Sequence, residues 1–230
     1  MENRSDREEA PEKKPVRAFI AIELPPELKQ RLERLQRELQ RELGPELFRW
    51  TPLENMHLTL RFLGQTSPAQ QEAIAAGLRA IVRGRRPIPL TLRGLGIFPS
   101  PGRPRVIWVG LGGGLEELAR LQEAIERLAQ EAGFQAEGRA FSPHITIARA
   151  QRHASSAQLR AAGSALQPRL AGPGRALGDF IAQEIALIRS QLRRGGAIYT
   201  PLAHFPLGQE KSSPDASAQE SQAKETGEDR

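Results

Sequence analysis

Two stretches of this chain, Met56-His57-Leu58-Thr59-Leu60-Arg61-Phe62 and Pro143-His144-Ile145-Thr146-Ile147-Ala148-Arg149, both read His-apolar-Thr-apolar, with their histidines 87 positions apart. Side chains alternate faces along an extended strand. His57, Thr59 and Arg61 are therefore expected on one face, with Leu58, Leu60 and Phe62 on the other. His144 and Thr146 repeat the polar face, and Ile145 and Ile147 the core face. A fold containing both strands must bury two apolar faces while leaving two polar ones open to solvent or to each other.

The segments around them recur in the same order. Arg17 to Leu24 reads as a buried strand, and Pro25-Pro26 opens a helix whose Leu28, Leu32, Leu35, Leu39 and Leu43 form a stripe stopped by Gly44. A loop through Trp50-Thr51-Pro52 leads to the first His-Thr strand, which Gly64 is expected to close. Ser67-Pro68 caps a second helix, and Ile88 to Phe98 alternates as a strand. The second half offers a strand at Val106 to Val109, a turn at Gly110 to Gly114, and a helix through Leu115, Leu118, Leu121, Ile125 and Leu128. The second His-Thr strand follows, then a helix near 155–166 and one long strand from Phe180 to Leu192. Shifting Ile22 by 87 lands on Val109, and shifting Leu28 lands on Leu115. This self-similarity predicts an α+β fold of two pseudo-symmetric lobes, repeats of about 17–100 and 104–192, with antiparallel-rich sheets around a central groove. Ile198 to Leu207, with Pro201 and Pro206, is expected as an edge strand.

Residues 1–15 and 209–230 are charged and apolar-poor and are expected to be disordered tails, leaving one bilobal domain over 16–208. With the four basic and five acidic residues of the first tail and the three and six of the second set aside, the body holds 26 basic against 16 acidic side chains, a net charge of +10. That balance favours a polyanionic partner, nucleic acid above all, although a dispersed Arg-rich surface would give the same figure. Zero cysteines exclude disulfides and a thiol nucleophile. No apolar run reaches membrane-spanning length and the amino terminus is too polar for a signal peptide, so a cytoplasmic protein is expected.

Histidine exchanges protons near neutral pH, so two of them across a cleft can serve as acid and base at opposite ends of a displaced group. Hydrolysis of a cyclic phosphodiester needs that pair. One histidine takes the proton of the attacking water, and the other protonates the departing ribose oxygen. Thr59 and Thr146 are placed to donate to the non-bridging oxygens, and a nearby Arg would clamp them. Neither a metal nor a cofactor is needed for this scheme. A single His-x-Thr-x recurs by chance; two in corresponding positions of a duplicated unit do not.

These residues resemble the two-histidine phosphoesterase superfamily, and the surrounding segments look like its RNA 2′,3′-cyclic phosphodiesterase branch, also called 2′-5′ RNA ligase. The stretches concerned are Arg17 to Pro25, Asn55 to Gly64, Arg105 to Gly110, Phe141 to Arg149 and Tyr199 to Leu202. The resemblance implies hydrolysis of RNA 2′,3′-cyclic phosphate ends to 2′-phosphomonoesters, with 2′-5′ joining as the reverse direction. The ends would belong to RNA such as tRNA fragments, or to nucleotides, and a monomer is expected. It makes His57 the proton donor and His144 the proton acceptor, roles that the pseudo-symmetric residues do not assign by themselves. Thr59 and Thr146 become phosphate-binding. Arg149 matches a phosphate-contacting Arg, although alternation puts Ala148 on the His144 face, so that role requires a bulge. Arg61 lies on the His57 face by alternation and is a further phosphate candidate.

Phe62 is expected in the core, Trp50 and Tyr199 as packing residues, and His153 and His204 at the surface. The Gly110 to Gly114 run lacks a P-loop ending and reads as a connection. The alternatives are a non-catalytic RNA-end or nucleotide-binding module, and a related phosphodiesterase acting on 2′-5′ oligonucleotides or ADP-ribose cyclic phosphate.

Overall fold

The structure is a computed structural model that describes residues 15–170, 174–193 and 196–208. The expectations for the tails, Pro15 apart, lie outside the described residues. Among the described residues nine strands and four helices follow in order: β1 (Val16–Glu23), α1 (Pro26–Leu43), β2 (Phe48–Trp50), a 3-10 turn (Leu53–Asn55), β3 (His57–Thr66), α2 (Pro68–Val82) and β4 (Ile88–Phe98). Then come β5 (Val106–Gly113), α3 (Leu115–Glu131), β6 (His144–Ala150), α4 (Ser156–Leu170), β7 (Ala176–Ala182), β8 (Glu184–Arg193) and β9 (Gly196–Pro206). No helix among the described residues is long and apolar enough to cross a membrane.

The strands form two antiparallel sheets, β3-β1-β8-β9 and β2-β6-β5-β4-β7. Three strands of each sheet correspond, β3-β1-β8 matching β6-β5-β4. The strand that ends each sequence repeat thus pairs in the sheet begun by the other repeat, β4 with β5 and β8 with β1. This exchange ties the two halves together and sets β3 and β6 against each other. The helices cover the apolar faces. Leu28, Leu32 and Leu39 of α1, Ile74 and Leu78 of α2, and Leu118, Leu121 and Ile125 of α3 are buried in one core cluster with Leu58, Leu60, Ile145 and Ile147. Fully burying such a side chain is worth roughly 1.5–3 kcal/mol, so this packing fixes which face of β3 and β6 remains open. Ser67 forms the capping box of α2 with Gln70.

Four boundaries differ from the sequence reading. Phe48–Trp50 is a strand paired with β6 rather than a loop; three residues are too few to show alternation. The β3 strand runs through Gly64, which takes φ +72 at an irregularity in its pairing with β1, and continues to Thr66. Gly110–Gly113 extends β5 as ladder, where Gly110 opposes Arg93 and a Cβ would approach the Arg93 carbonyl oxygen at 3.1 Å. The single strand expected from Phe180 to Leu192 is two, β7 and β8, split at Gln183 and belonging to different sheets. Ile185 to Ile188 are all buried because β8 has the core on one side and Phe19, Ala21 and Tyr199 on the other. β9 is an edge strand, as Pro201 and Pro206 require.

Candidate active site

The open faces of β3 and β6 line one groove of about 400 Å³ that contains His57, Thr59, His144, Thr146 and Arg149 together with Arg49, Trp50, Phe62, Arg193, Ile198 and Tyr199. Both strands depart from plain alternation at the same place. In β3 the register with β1 jumps from Ala21↔Thr59 to Ile20↔Arg61, leaving Leu60 as an extra residue. In β6 the register with β5 jumps from Trp108↔Thr146 to Ile107↔Ala148, leaving Ile147 extra. Leu60 and Ile147 are 87 apart, so the bulge itself is duplicated.

Each bulge inverts the faces beyond it. Arg149 turns into the groove, which meets the condition its phosphate role required. Arg61 turns away from it, contrary to the expectation from alternation. The Arg61 side chain is 6% exposed, ion-paired through Nε to Glu126 Oε2 at 2.6 Å and through Nη1 to Glu137 Oε2 at 2.9 Å, and it donates to the carbonyls of Phe62 and Gln135. It fastens β3 to α3 and the segment that follows α3, and does not line the groove. Phe62, expected in the core, is instead 57% exposed in the groove. Arg49, Trp50 and Tyr199 also line it; β2 and the start of β9 carried no pattern that aimed them there.

Each histidine is held from below by the main chain two residues earlier. His144 Nδ1 lies 2.7 Å from the Ser142 carbonyl oxygen, which can only accept, so Nδ1 bears the hydrogen and Nε2 is left with its lone pair when the ring is neutral. The main chain of Asn55, 87 residues before Ser142, bonds the His57 ring in the same way. Asn55 also donates through Nδ2 to the Ala197 carbonyl at 2.8 Å, which brings β9 to the groove wall. Aromatic rings fix the ring planes. Phe19 stacks on His57 at 4.7 Å and Tyr199 meets it edge-on at 5.3 Å, whereas Phe98 and Trp108 stand 5.1 and 5.9 Å from His144.

This setting makes both imidazoles weak bases. Burial, with the charges of Lys29 and Arg149, pushes His57 down to about 4 against the raising effect of its Asn55 bond. Burial also lowers His144, opposed by the Ser142 bond and assisted by Arg149. One cation therefore acts on both histidines, as it must if it stands between them at an anion site. Among the described residues, the one His and carboxylate grouping close enough to hold a metal is Glu23, Glu184 and His204, none of which lines this groove. There His204 Nδ1 lies 2.9 Å from Glu184 Oε1.

The LigT-like phosphoesterase family model matches this chain twice, over residues 22–108 and 112–199, once for each repeat. The chain belongs to that family. An RNA 2′,3′-cyclic phosphodiesterase of Aeropyrum pernix is 40% identical over 154 residues, 65% of this chain and 80% of that protein. One from Methanothermobacter thermautotrophicus is 30% identical over 192 residues, 84% of this LigT-like chain and 99% of its relative. Escherichia coli LigT complexed with 3′-AMP superposes with a TM-score of 0.68 at 28% identity, over 85% of this chain and all of that one.

Proposed function

We propose that this LigT-like phosphoesterase hydrolyses the 2′,3′-cyclic phosphate of RNA ends to a 2′-phosphomonoester, with His57 and His144 as the acid and base. The observation that carries the reading is the meeting of both His-Thr pairs and Arg149 in a single groove. The relatives named RNA 2′,3′-cyclic phosphodiesterase support the substrate.

In this mechanism Arg149, Thr59 and Thr146 hold the non-bridging oxygens, where charge increases as phosphorus becomes five-coordinate. Neutral His144, with Nε2 free, accepts a proton from water as the water oxygen bonds to phosphorus. The bond from phosphorus to the 3′ oxygen breaks, and protonated His57 supplies the hydrogen that makes it a hydroxyl. Solvent exchange then returns a proton to His57 and removes one from His144. The anionic substrate raises both histidines when it binds, so His57 gains its proton in the complex. The same site with a 5′-hydroxyl in the place of water joins ends through a 2′-5′ bond. Phe62 offers an exposed ring face beside the His57 pair, suited to a nucleobase.

The role assigned to His57 is tested with a cyclic substrate carrying sulfur in place of the 3′ oxygen, because a thiolate leaves without a proton. His57→Ala should lose two to four orders of magnitude on the oxygen substrate and recover most of it on the sulfur one, while His144→Ala should recover nothing. Equal recovery in both variants would remove the assignment.

A further inference from the structure

The edge strand β2 sets Arg49 directly opposite Arg149 of β6, so both side chains leave the same face. Like charges in that relation repel. Among the described residues neither forms an ion pair, whereas Arg37, Arg61, Arg120 and Arg169 each do. Glu54 lines the same groove and bridges to neither.

The register is nevertheless held firmly. The Ile147 carbonyl, left over by the bulge, accepts from Thr51 N at 2.9 Å and from Gln36 Nε2 at 2.7 Å, and the same Nε2 donates to the Thr51 carbonyl at 2.9 Å. Gln36 is 5% exposed and lies within the apolar stripe of α1. A buried amide thus closes a ring of three hydrogen bonds that locks two repelling cations side by side. A cyclic phosphate brings a single negative charge, and of the two arginines it is Arg149 whose charge acts on both histidines. Arg49 is left facing the groove with no anion assigned to it.

We propose that Arg49 is a second anion subsite, for the phosphodiester one step upstream of the cyclic end. The preferred substrate is then an RNA 3′ end of at least two nucleotides rather than a free cyclic mononucleotide. This rests on the reading of Arg149 as the partner of the cyclic phosphate. Consecutive phosphates are what a strand of RNA presents to two neighbouring cations, and binding both relieves the repulsion between Arg49 and Arg149.

The test compares adenosine 2′,3′-cyclic phosphate with ApA ending in a 2′,3′-cyclic phosphate, a pair that differs by one nucleoside and one phosphodiester. Wild-type protein is expected to favour the dinucleotide in kcat/KM. Arg49→Gln should reduce the dinucleotide-to-mononucleotide ratio about tenfold and lower the salt dependence of dinucleotide binding by about 0.7 in log-log slope. Arg149→Gln should depress both substrates and keep the ratio. An Arg49→Gln variant that loses equally on both substrates, or that keeps the wild-type ratio, overturns the proposal. If wild-type protein turns over neither substrate, the functional reading fails and the subsite is tested by titrating 3′-AMP and ApA 3′-phosphate. Selective weakening of the dinucleotide by Arg49→Gln then supports the subsite, and equal or no weakening removes it.

Discussion

Phe62 and Arg149 occupy the same position in the two repeats, each two residues beyond a bulge, and both face the groove, one with an apolar ring and the other with a charge. The duplicated backbone makes the two histidines equivalent. This pair makes the groove directional, with the Phe62 ring on the His57 strand and the Arg149 charge on the His144 strand.

Burial lowers both histidines most, and the charge of Arg149 lowers both further. The proposed mechanism needs one proton on the two histidines, and with both rings below their usual 6.5 the singly protonated free protein is most populated on the acid side of that value. The profile of kcat/KM against pH should be a bell with its optimum below about 6.5 and an acid limb near 4. Arg149→Met removes a charge that disfavours imidazolium, so the bell should move to higher pH as its height falls. A profile that moves to lower pH, or is flat from pH 5 to 9, would contradict the account.

His57 also affects stability. Its folded pKa lies below its unfolded one, so from pH 6.5 down to about 4 the unfolded chain binds a proton that the folded protein refuses. Stability is lost as pH falls through that window, by up to roughly 3 kcal/mol, and the loss levels off below it. Urea unfolding at pH 7 and pH 4.5 should show a smaller difference in His57→Gln than in wild type.

Arg61→Met should damage the fold rather than the site. It leaves the Glu126 carboxylate with little solvent and without its cation, at a cost of about 3–5 kcal/mol. Hydrogen bonds from Gln130 and the Glu137 main chain, with the charge of Arg61, outweigh burial and hold Glu126 below its ordinary value. The stability that carboxylate contributes is present above its unfolded pKa and lost as pH falls through the lowered folded value. Thermal unfolding should report the loss, with KM of the folded fraction near that of wild type. A large rise in KM with little loss of stability would return Arg61 to the phosphate site.

Gln36→Leu keeps the volume but strips both carbonyls of their amide partner, at about 1–3 kcal/mol. If the ring of hydrogen bonds sets Arg149, kcat/KM should fall by about tenfold or more. The same substitution in an Arg149→Met background should then add little, which a double-mutant cycle measures. Full additivity would mean that Gln36 acts on stability alone.

How far the site was legible follows from where the bulges fall. His57, Thr59, His144 and Thr146 precede Leu60 and Ile147, so alternation places them without any knowledge of partners. Arg61, Phe62 and Arg149 lie beyond, and their faces depend on pairing with β1 and β5, which a single sequence does not display. Alternation correctly named a bulge as the condition for Arg149 but supplied no reason to apply it to Arg61. Arg49 and Trp50 were hidden because a three-residue strand has no period to read. Gln36 was hidden because a polar residue inside a leucine stripe shows its purpose only when its acceptors, the carbonyls of Thr51 and Ile147, are in place. At the level of the fold, the repeat was visible as an 87-residue offset. The exchange of β4 and β8 between sheets was not, since the break at Gln183 lies inside a run that looks like one strand.

The central claim is that His57 and His144 together open a 2′,3′-cyclic phosphate. Phosphorus NMR of a short RNA bearing that end, incubated with the full-length protein and a chelator, tests it directly. The account predicts conversion of the cyclic phosphate signal to that of a 2′-phosphomonoester, lost in both His57→Ala and His144→Ala. A 3′-phosphomonoester, an unchanged cyclic phosphate, or undiminished conversion by either variant would contradict it.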